Sequence, residues 1–253
     1  MRNYNSNPMR ELDPFDGLLL IDKPVGPTSH DIVDEVRRHL QIRKVGHGGT
    51  LDPNATGLLI ILIGRGTRLS NFVMGSDKTY EGIMKLGIAT DSQDVDGVVT
   101  ATKDFSAVTR EQLETEMKKF VGDFMQTPPM VSAVKIKGVP LYKLARKGQT
   151  VEREARLVHV YEFRLLDFTP PDVHFVLKCT KGTYVRTICA DIGEALGCGA
   201  HLASLRRTRS GEFDIKDAIT LNDFLATKPD DLIPRVLPMT SIRPSHDANR
   251  QQP

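Results

Sequence analysis

The sequence lacks the features that mark several large classes of protein. Its three cysteines, Cys179, Cys189 and Cys198, are odd in number and form no Cys-x-x-Cys pair. A disulfide framework or a zinc site is therefore disfavoured, and reduced thiols are expected. No apolar run reaches the roughly 18 residues of a membrane-spanning helix, and the polar stretch 1–14 has no signal-peptide core. We expect a cytoplasmic protein that does not cross a membrane.

Charge of one sign is also scarce. The 34 Lys and Arg residues against 32 Asp and Glu residues leave a formal net charge of only +2. An interpretation as a nucleic-acid binder therefore depends on where the basic residues lie. The 253 residues, 40% of them hydrophobic, are enough for a large core in one extended domain or two smaller ones.

Two familiar ligand motifs are incomplete. The strand–loop–helix pattern near the N-terminus has no Gly-Lys-Ser/Thr sequence, so it is not a phosphate-binding P-loop. The stretch Thr90–Gly97 holds three acids, but it does not follow the twelve-residue calcium-binding pattern. We interpret this stretch as an acidic hairpin turn.

One stretch, Gly46–Gly57, holds four glycines, one proline and a single acid, Asp52. The apolar run Leu58–Ile63 follows directly and predicts a buried strand. Glycines at such density indicate positive φ angles or close approach to the backbone. Asp52 therefore lies on a shaped loop that enters the core, where it acts either as an Asx-turn residue or as a reactive acid.

Apolar periodicity predicts an α+β fold with a mixed, mostly antiparallel central sheet flanked by helices and basic loops. Capping boxes are predicted at Thr28 with Asp31 and at Thr109 with Gln112. A short apolar and basic element of unassigned type spans 201–209. The expected strands are 17–21, 58–64, 78–87, 97–101, 130–138, 156–168 and 173–180. The longer expected helices follow residues 28, 109 and 184, and a small capped helix is expected over 220–226.

Basic residues cluster in two places. Arg43 and Lys44 follow the first predicted helix, and a denser group comprises Lys135, Lys137, Lys143, Arg146 and Lys147. A solvated charged face is the simplest interpretation of this group. Arg186 is unusual because it falls in the first turn of a helix, where the dipole disfavours a cation. An anionic partner would explain it.

Seven motifs occur in an order that resembles the TruB family of tRNA pseudouridine-55 synthases. They span Asp22–Ser29, Gly46–Leu59, Lys78–Tyr80, Pro129–Ser132, Leu141–Gly148, Arg153–Arg156 and Lys181–Arg186. The sequence departs from the family at Gly48, where many relatives carry Thr. About 40 residues follow Phe213, too few for the PUA-type RNA-binding domain of many relatives.

The resemblance implies a pseudouridine synthase fold and isomerisation of uridine 55 in the T-loop of tRNA. Asp52 is then the catalytic residue and Arg186 its partner, because a nearby guanidinium favours the carboxylate. Tyr80 is expected to stack on the flipped uracil. Further substrate-binding residues are Tyr184 and Leu205 in the pocket, His47 toward the T-loop, and Lys23, which either is an exposed loop lysine or touches a phosphate. Arg43, Lys44, Lys135, Lys137, Arg146 and Lys147 are expected to contact the RNA backbone.

The reaction rearranges one set of atoms, so no metal or cofactor is expected. We predict a lead-in at 1–15, a catalytic domain at 16–212, a short extension at 213–242 without a full PUA domain, and a mobile tail at 243–253. The partner is tRNA through its T-arm, and a monomer without protein partners is expected. The alternative function is a tRNA-folding chaperone on the same scaffold that performs no turnover.

Overall fold

The structure, a computed structural model, describes residues 13–132, 134–136, 138–141, 144, 148, 149 and 151–242. Most of the predicted lead-in and all of the predicted tail lie outside this range. No helix among the described residues is both long and apolar enough to cross a membrane. The same residues contain no group of three or more His, Cys, Asp or Glu side chains arranged to hold a metal ion.

Several strands follow one another directly between the helices of the described chain. The strands are β1 Gly17–Lys23, β2 Val45–His47, β3 Thr56–Ile63, β4 Lys78–Leu86, β5 Ile88–Thr90, β6 Val99–Thr102, β7 Gly122–Gln126, β8 Lys135–Ile136, β9 Val139–Pro140, β10 Arg156–Thr169, β11 Asp172–Cys179, β12 Ala200–Ser210, β13 Phe213–Asp214, β14 Ile219–Thr220 and β15 Leu237–Pro238. The helices are α1 Ser29–Leu40, α2 Ser70–Gly75, α3 Arg110–Lys118, α4 Val185–Ala195, α5 Leu221–Ala226 and α6 Pro229–Leu232.

One large sheet forms the centre of the molecule. Its strands run in the order β14-β1-β3-β12-β4-β11-β10-β7. Three further short strands pair with members of this series: β2 with β3, β13 with β12, and β15 with β1. The β1–β14 and β3–β12 pairs are parallel, and the remaining pairs of this sheet are antiparallel. The predicted mixed, mostly antiparallel α+β fold is therefore confirmed.

Helices cover the sheet where their apolar stripes predict. The buried stripe of α1 packs with β1 and β3 residues in one core cluster, and α3 and α4 share another with β4, β10 and β11. Both predicted capping boxes are present, at Thr28 with Asp31 and at Thr109 with Gln112. Each cap satisfies amide groups that the first helical turn leaves without partners.

The strand predicted over 130–138 is wrong in extent. Among the described residues of this range, Lys135–Ile136 alone forms a strand, in a two-stranded pairing with β9. The strand that joins the main sheet is β7, which pairs with β10. Its five residues include a glycine and an aspartate, so their apolar alternation is too weak for recognition from the sequence.

The element of unassigned type at 201–209 is part of β12, an 11-residue strand between β3 and β4. Arginines are rare inside sheets because a buried charge is costly without partners. Here Arg207 is only 2% exposed, and its side chain is hydrogen-bonded to backbone carbonyls. The sheet therefore contains a buried cation that the apolar pattern of the sequence does not predict.

Replacing Gly57 with Ala should lower the free energy of unfolding by about 3 kcal/mol or more. Gly57 has a φ of +98°, and an added Cβ would lie 2.3 Å from the carbonyl oxygen of Arg207. Urea denaturation measures the loss. Gly75→Ala is the matched control because an added Cβ there would meet nothing within 4 Å and the φ of Gly75 is outside the left-handed region. Equal losses in the two variants would contradict the close-approach argument.

Candidate active site

The loop that carries Asp52 is fastened by Lys23 at the end of β1. The Lys23 ammonium donates hydrogen bonds to the carbonyls of Pro53 at 2.9 Å, Ala55 at 2.7 Å and Pro24 at 2.9 Å. Lys23 has no accessible surface, so its predicted contact with substrate is corrected: it binds the loop from within. Burial is the main cause that lowers the pKa of Lys23 to about 8, and the Asp52 charge opposes this shift.

The turn before α1 adds two further contacts to the same loop. The Gly26 amide donates to the Pro53 carbonyl at 3.0 Å. The buried Ser29 hydroxyl accepts a hydrogen bond from the Leu51 amide at 2.8 Å and donates to the Leu51 carbonyl at 3.1 Å. The motifs Asp22–Ser29 and Gly46–Leu59 therefore form one hydrogen-bonded unit.

Arg207 holds the other side of the loop. Its guanidinium donates to the carbonyls of Leu58 at 2.7 Å, Gly49 at 3.2 Å and Thr50 at 3.5 Å. Buried carbonyls need hydrogen-bond donors, and this cation supplies them without a carboxylate partner in the described part of the chain. No motif or spacing in the sequence indicates this role.

Asp52 extends from this loop to the Arg186 guanidinium. Asp52 Oδ2 lies 3.1 Å from Arg186 Nη2, with the carboxylate side chain 50% accessible and the arginine side chain only 5% accessible. The predicted pair is thus present. The Asp52 side chain is therefore partly accessible to a ligand while its Oδ2 atom contacts a cation enclosed by protein.

The pKa of Asp52 is raised above its ordinary value, with burial as the largest cause. Arg186 and Lys23 oppose this rise, while the nearby charges of Asp94 and Asp96 add to it. The expectation that Arg186 favours the carboxylate describes its own contribution correctly. The net direction is upward because the protein removes water from one side of the group.

Arg186 is shared between two acids and a backbone carbonyl. Its Nη1 donates to Asp94 Oδ2 at 3.1 Å, and its Nη2 donates to the Val131 carbonyl at 2.8 Å. A guanidinium bound on three sides has little freedom to rotate. This cation in the first turn of α4 is therefore stabilised by Asp52 and Asp94.

Asp94 is a site residue that sequence reasoning missed, because an acidic hairpin turn was a sufficient interpretation of its surroundings. Gln93 adopts a left-handed conformation with φ of +67°, accepts a 2.8 Å hydrogen bond from the Thr187 hydroxyl, and receives the Leu202 amide on its carbonyl at 3.0 Å. These contacts fix Asp94 beside Arg186. The signal in the sequence that could have indicated a cation-binding role is the group of three acids within 90–97, which includes no basic residue.

Tyr80 and Leu205 lie on neighbouring strands, β4 and β12. Both are partly buried and pack against the two large core clusters. Burial raises the pKa of Tyr80 to about 12, the Asp52 charge adds to the rise, and Arg207 opposes it. The stacking of this ring on a uracil remains a prediction.

Tyr184 forms the N-cap position of α4. The Gln126 side chain binds its backbone twice, accepting from the Tyr184 amide at 2.8 Å and donating to its carbonyl at 3.1 Å. The Arg186 guanidinium lies 6.0 Å from the centre of the Tyr184 ring. The two residues therefore share one side of the site, and Gln126 is a support that sequence reasoning missed.

His47 ends β2 and leads into the Asp52 loop. Burial, Arg207 and His30 lower its pKa, and its buried Nδ1 atom has no hydrogen-bond partner among the described residues. The following residue, Gly48, packs against α2, where an added Cβ would lie 2.3 Å from Val73 Cγ1. This close contact leaves no room for a side chain at position 48 unless Val73 moves.

The predicted RNA-backbone residues are only partly described. Arg43 and Lys44 are exposed beyond the end of α1, on the segment that leads to β2. Lys137, Arg146 and Lys147 lie outside the described residues, as does Lys143. Lys135 lies in β8, but its side chain is not described. The contact of this cluster with RNA remains a prediction.

Two family models together match residues 37–242 of the chain. Residues 37–185 match the model of the TruB family pseudouridylate synthase N-terminal domain. Residues 186–242 match the model described as the tRNA pseudouridylate synthase B C-terminal domain. The boundary between these matches falls at the start of α4, between Val185 and Arg186.

Curated relatives share about half of the sequence. A protein of Opitutus terrae named tRNA pseudouridine synthase B is 50% identical over 238 residues, covering 94% of this chain and 98% of the relative. A protein of the same name from Syntrophotalea carbinolica is 48% identical over 217 residues, covering 86% and 71%. The similarity therefore includes the whole site.

A solved structure supports the same fold. The chain is 30% identical to one in a crystal structure of a Cbf5-Nop10-Gar1 complex, with a TM-score of 0.71 over 94% of this chain and 67% of that one. A structure of an H/ACA RNP bound to a substrate RNA containing 2'-deoxyuridine is 29% identical, with a TM-score of 0.63 over 88% and 59%.

Charge changes around Asp52 should move its pKa in opposite directions. Arg186→Gln removes a cation that lowers this pKa, so the pKa should rise further. Asp94→Asn removes an anion that raises it, so the pKa should fall. Carbon-13 NMR titration of the Asp52 carboxyl, assigned with an Asp52→Asn sample, measures both shifts. Shifts of the same sign, or none, would contradict this electrostatic description.

Proposed function

Because the chain belongs to the TruB family of pseudouridylate synthases and forms pseudouridine in tRNA, we propose that it acts on uridine 55 in the T-loop. We propose Asp52 as its catalytic residue. The observation that carries the proposal is the half-accessible Asp52 carboxylate 3.1 Å from the buried Arg186 guanidinium. The order of the motifs adds to it.

Pseudouridine formation breaks the bond between N1 of uracil and the ribose and forms a bond from the ribose to C5 of the same base. The proton on C5 leaves and one returns to nitrogen, so atoms and electrons balance within the nucleotide. An ionised carboxylate supports such a step as a nucleophile or as a base. Asp52 has the required access on one side, and Arg186 favours its charged form.

The target uridine must leave the T-loop to reach this carboxylate, because a stacked base cannot approach it. Extruding a nucleotide costs a few kcal/mol. Stacking on an aromatic side chain returns roughly 1–3 kcal/mol per base. We assign this stacking to Tyr80, which is partly buried and, like Leu205, packs against both large core clusters. Tyr184 and Leu205 complete the proposed uridine pocket, and His47 is proposed to contact the T-loop.

The extension at 213–242 is proposed to belong to the same structural unit as the catalytic domain. Its strands join the main sheet, with β13 on β12 and with β14 and β15 on β1. Recognition of tRNA would then rely on the T-arm and on backbone contacts from Arg43, Lys44 and the cluster at 135–147. Such contacts predict affinity that falls with added salt. A monomer in the cytoplasm is part of the same proposal.

Asp52→Asn should bind T-arm RNA normally and release no tritium from RNA labelled at C5 of uridine 55. The substitution keeps the shape of the side chain but removes its negative charge. Tritium release measures turnover and filter binding measures affinity. Asp217→Asn, at an exposed position, is the control and should behave as wild type. Normal turnover by Asp52→Asn would end the proposal.

A tRNA-folding chaperone on this scaffold is the second candidate. Folding activity alone does not need a carboxylate paired with a buried arginine, so the Asp52–Arg186 pair favours catalysis. A wild-type protein that refolds tRNA without forming pseudouridine would support the chaperone instead.

A further inference from the structure

Arg207 occupies a junction in the sheet. In the parallel pairing of β12 with β3 it lies opposite Gly57, and in the antiparallel pairing of β12 with β4 it lies opposite Tyr80. Its side chain is among the largest that are fully buried. One residue therefore connects the strand that follows the Asp52 loop to the strand that carries Tyr80.

The contacts of Arg207 bracket Asp52 in the chain. The guanidinium binds carbonyls of Gly49 and Thr50 before Asp52, while its Nε binds the Leu58 carbonyl after it. The opposite face of the loop is held by Lys23 through Pro53 and Ala55. Because Gly57 pairs with both Lys23 and Arg207, the two cations enclose the end of the loop.

Arg207 is also directly opposite Tyr80 in the pairing of β12 with β4. Its positive charge opposes the rise that burial causes in the pKa of Tyr80. A planar guanidinium with five donors can serve two directions at once, whereas a lysine ammonium on a flexible stem cannot reproduce this fork. With no carboxylate partner among the described residues, the donors of Arg207 are available for the loop carbonyls on both sides of Asp52.

We propose that Arg207 is a positioning residue that fixes the separation between the Asp52 carboxylate and the Tyr80 ring, so that one flipped uracil meets both. The proposal rests on the proposed function, because the distance matters only if a base is bound between these groups. It predicts that Arg207 contributes to the rate of the chemical step and little to the affinity for tRNA.

The test compares Arg207→Lys and Arg207→Met with wild type and with Arg209→Lys as control. Arg209 lies on the same strand, is half exposed and pairs with Asp214 at 3.7 Å. Single-turnover tritium release at saturating enzyme gives the chemical rate, filter binding gives the dissociation constant, and thermal unfolding checks the fold.

Arg207→Lys should fold and lose about 100-fold in single-turnover rate, the scale expected for a displaced reacting group, and its affinity for tRNA should change less than about threefold. Arg209→Lys should match wild type. If Arg207→Met does not fold, Arg207→Lys alone decides.

The proposal is overturned if Arg207→Lys keeps the wild-type rate, or if affinity falls as much as the rate. It is also overturned if neither Arg207 variant folds, since Arg207 would then serve the core rather than the site. A wild-type protein that forms no pseudouridine would instead refute the proposed function.

Discussion

Backbone carbonyls of the Asp52 loop are bound by two buried cations, and the geometry of the site depends on this interaction. Lys23 binds the carbonyls of Pro53 and Ala55, and Arg207 binds those of Gly49 and Thr50. Each buried carbonyl left without a donor would cost about 1–3 kcal/mol. Because these acceptors lie on both sides of Asp52 in the chain, they hold the loop in one conformation. The Asp52 carboxylate then stays partly accessible beside Arg186.

A second constraint governs the charge of that carboxylate. Burial raises its pKa, while Arg186 and Lys23 act in the opposite direction. Arg186 is in turn fixed by Asp94 and by the Val131 carbonyl, so its position does not depend on Asp52 alone. A reactive acid needs both partial dehydration and a counter-charge in a fixed position. Arg186 is that counter-charge, and Asp94 in the acidic turn before β6 fixes its position.

Much of the fold can be predicted from local sequence patterns, because the capping boxes and the apolar stripe of α1 depend on residues that are close in sequence. The Asp52 loop is readable for the same reason: glycines and a proline precede an apolar strand. The roles of Arg207 and Lys23 are not readable, since an arginine or lysine usually marks the surface. Their acceptors lie up to 158 positions away in the chain. Asp94 is visible as an acid, but its pairing with Arg186 over 92 positions depends on the tertiary fold.

The most direct test is a crystal structure of the protein with T-arm RNA that carries 5-fluorouridine in place of uridine 55. We expect the base to be everted, stacked on Tyr80, and within about 3.5 Å of the Asp52 carboxylate, or covalently joined to it. Clear density for that nucleotide still stacked inside the T-loop, or bound away from Asp52 and Arg186, would contradict the assignment of this site.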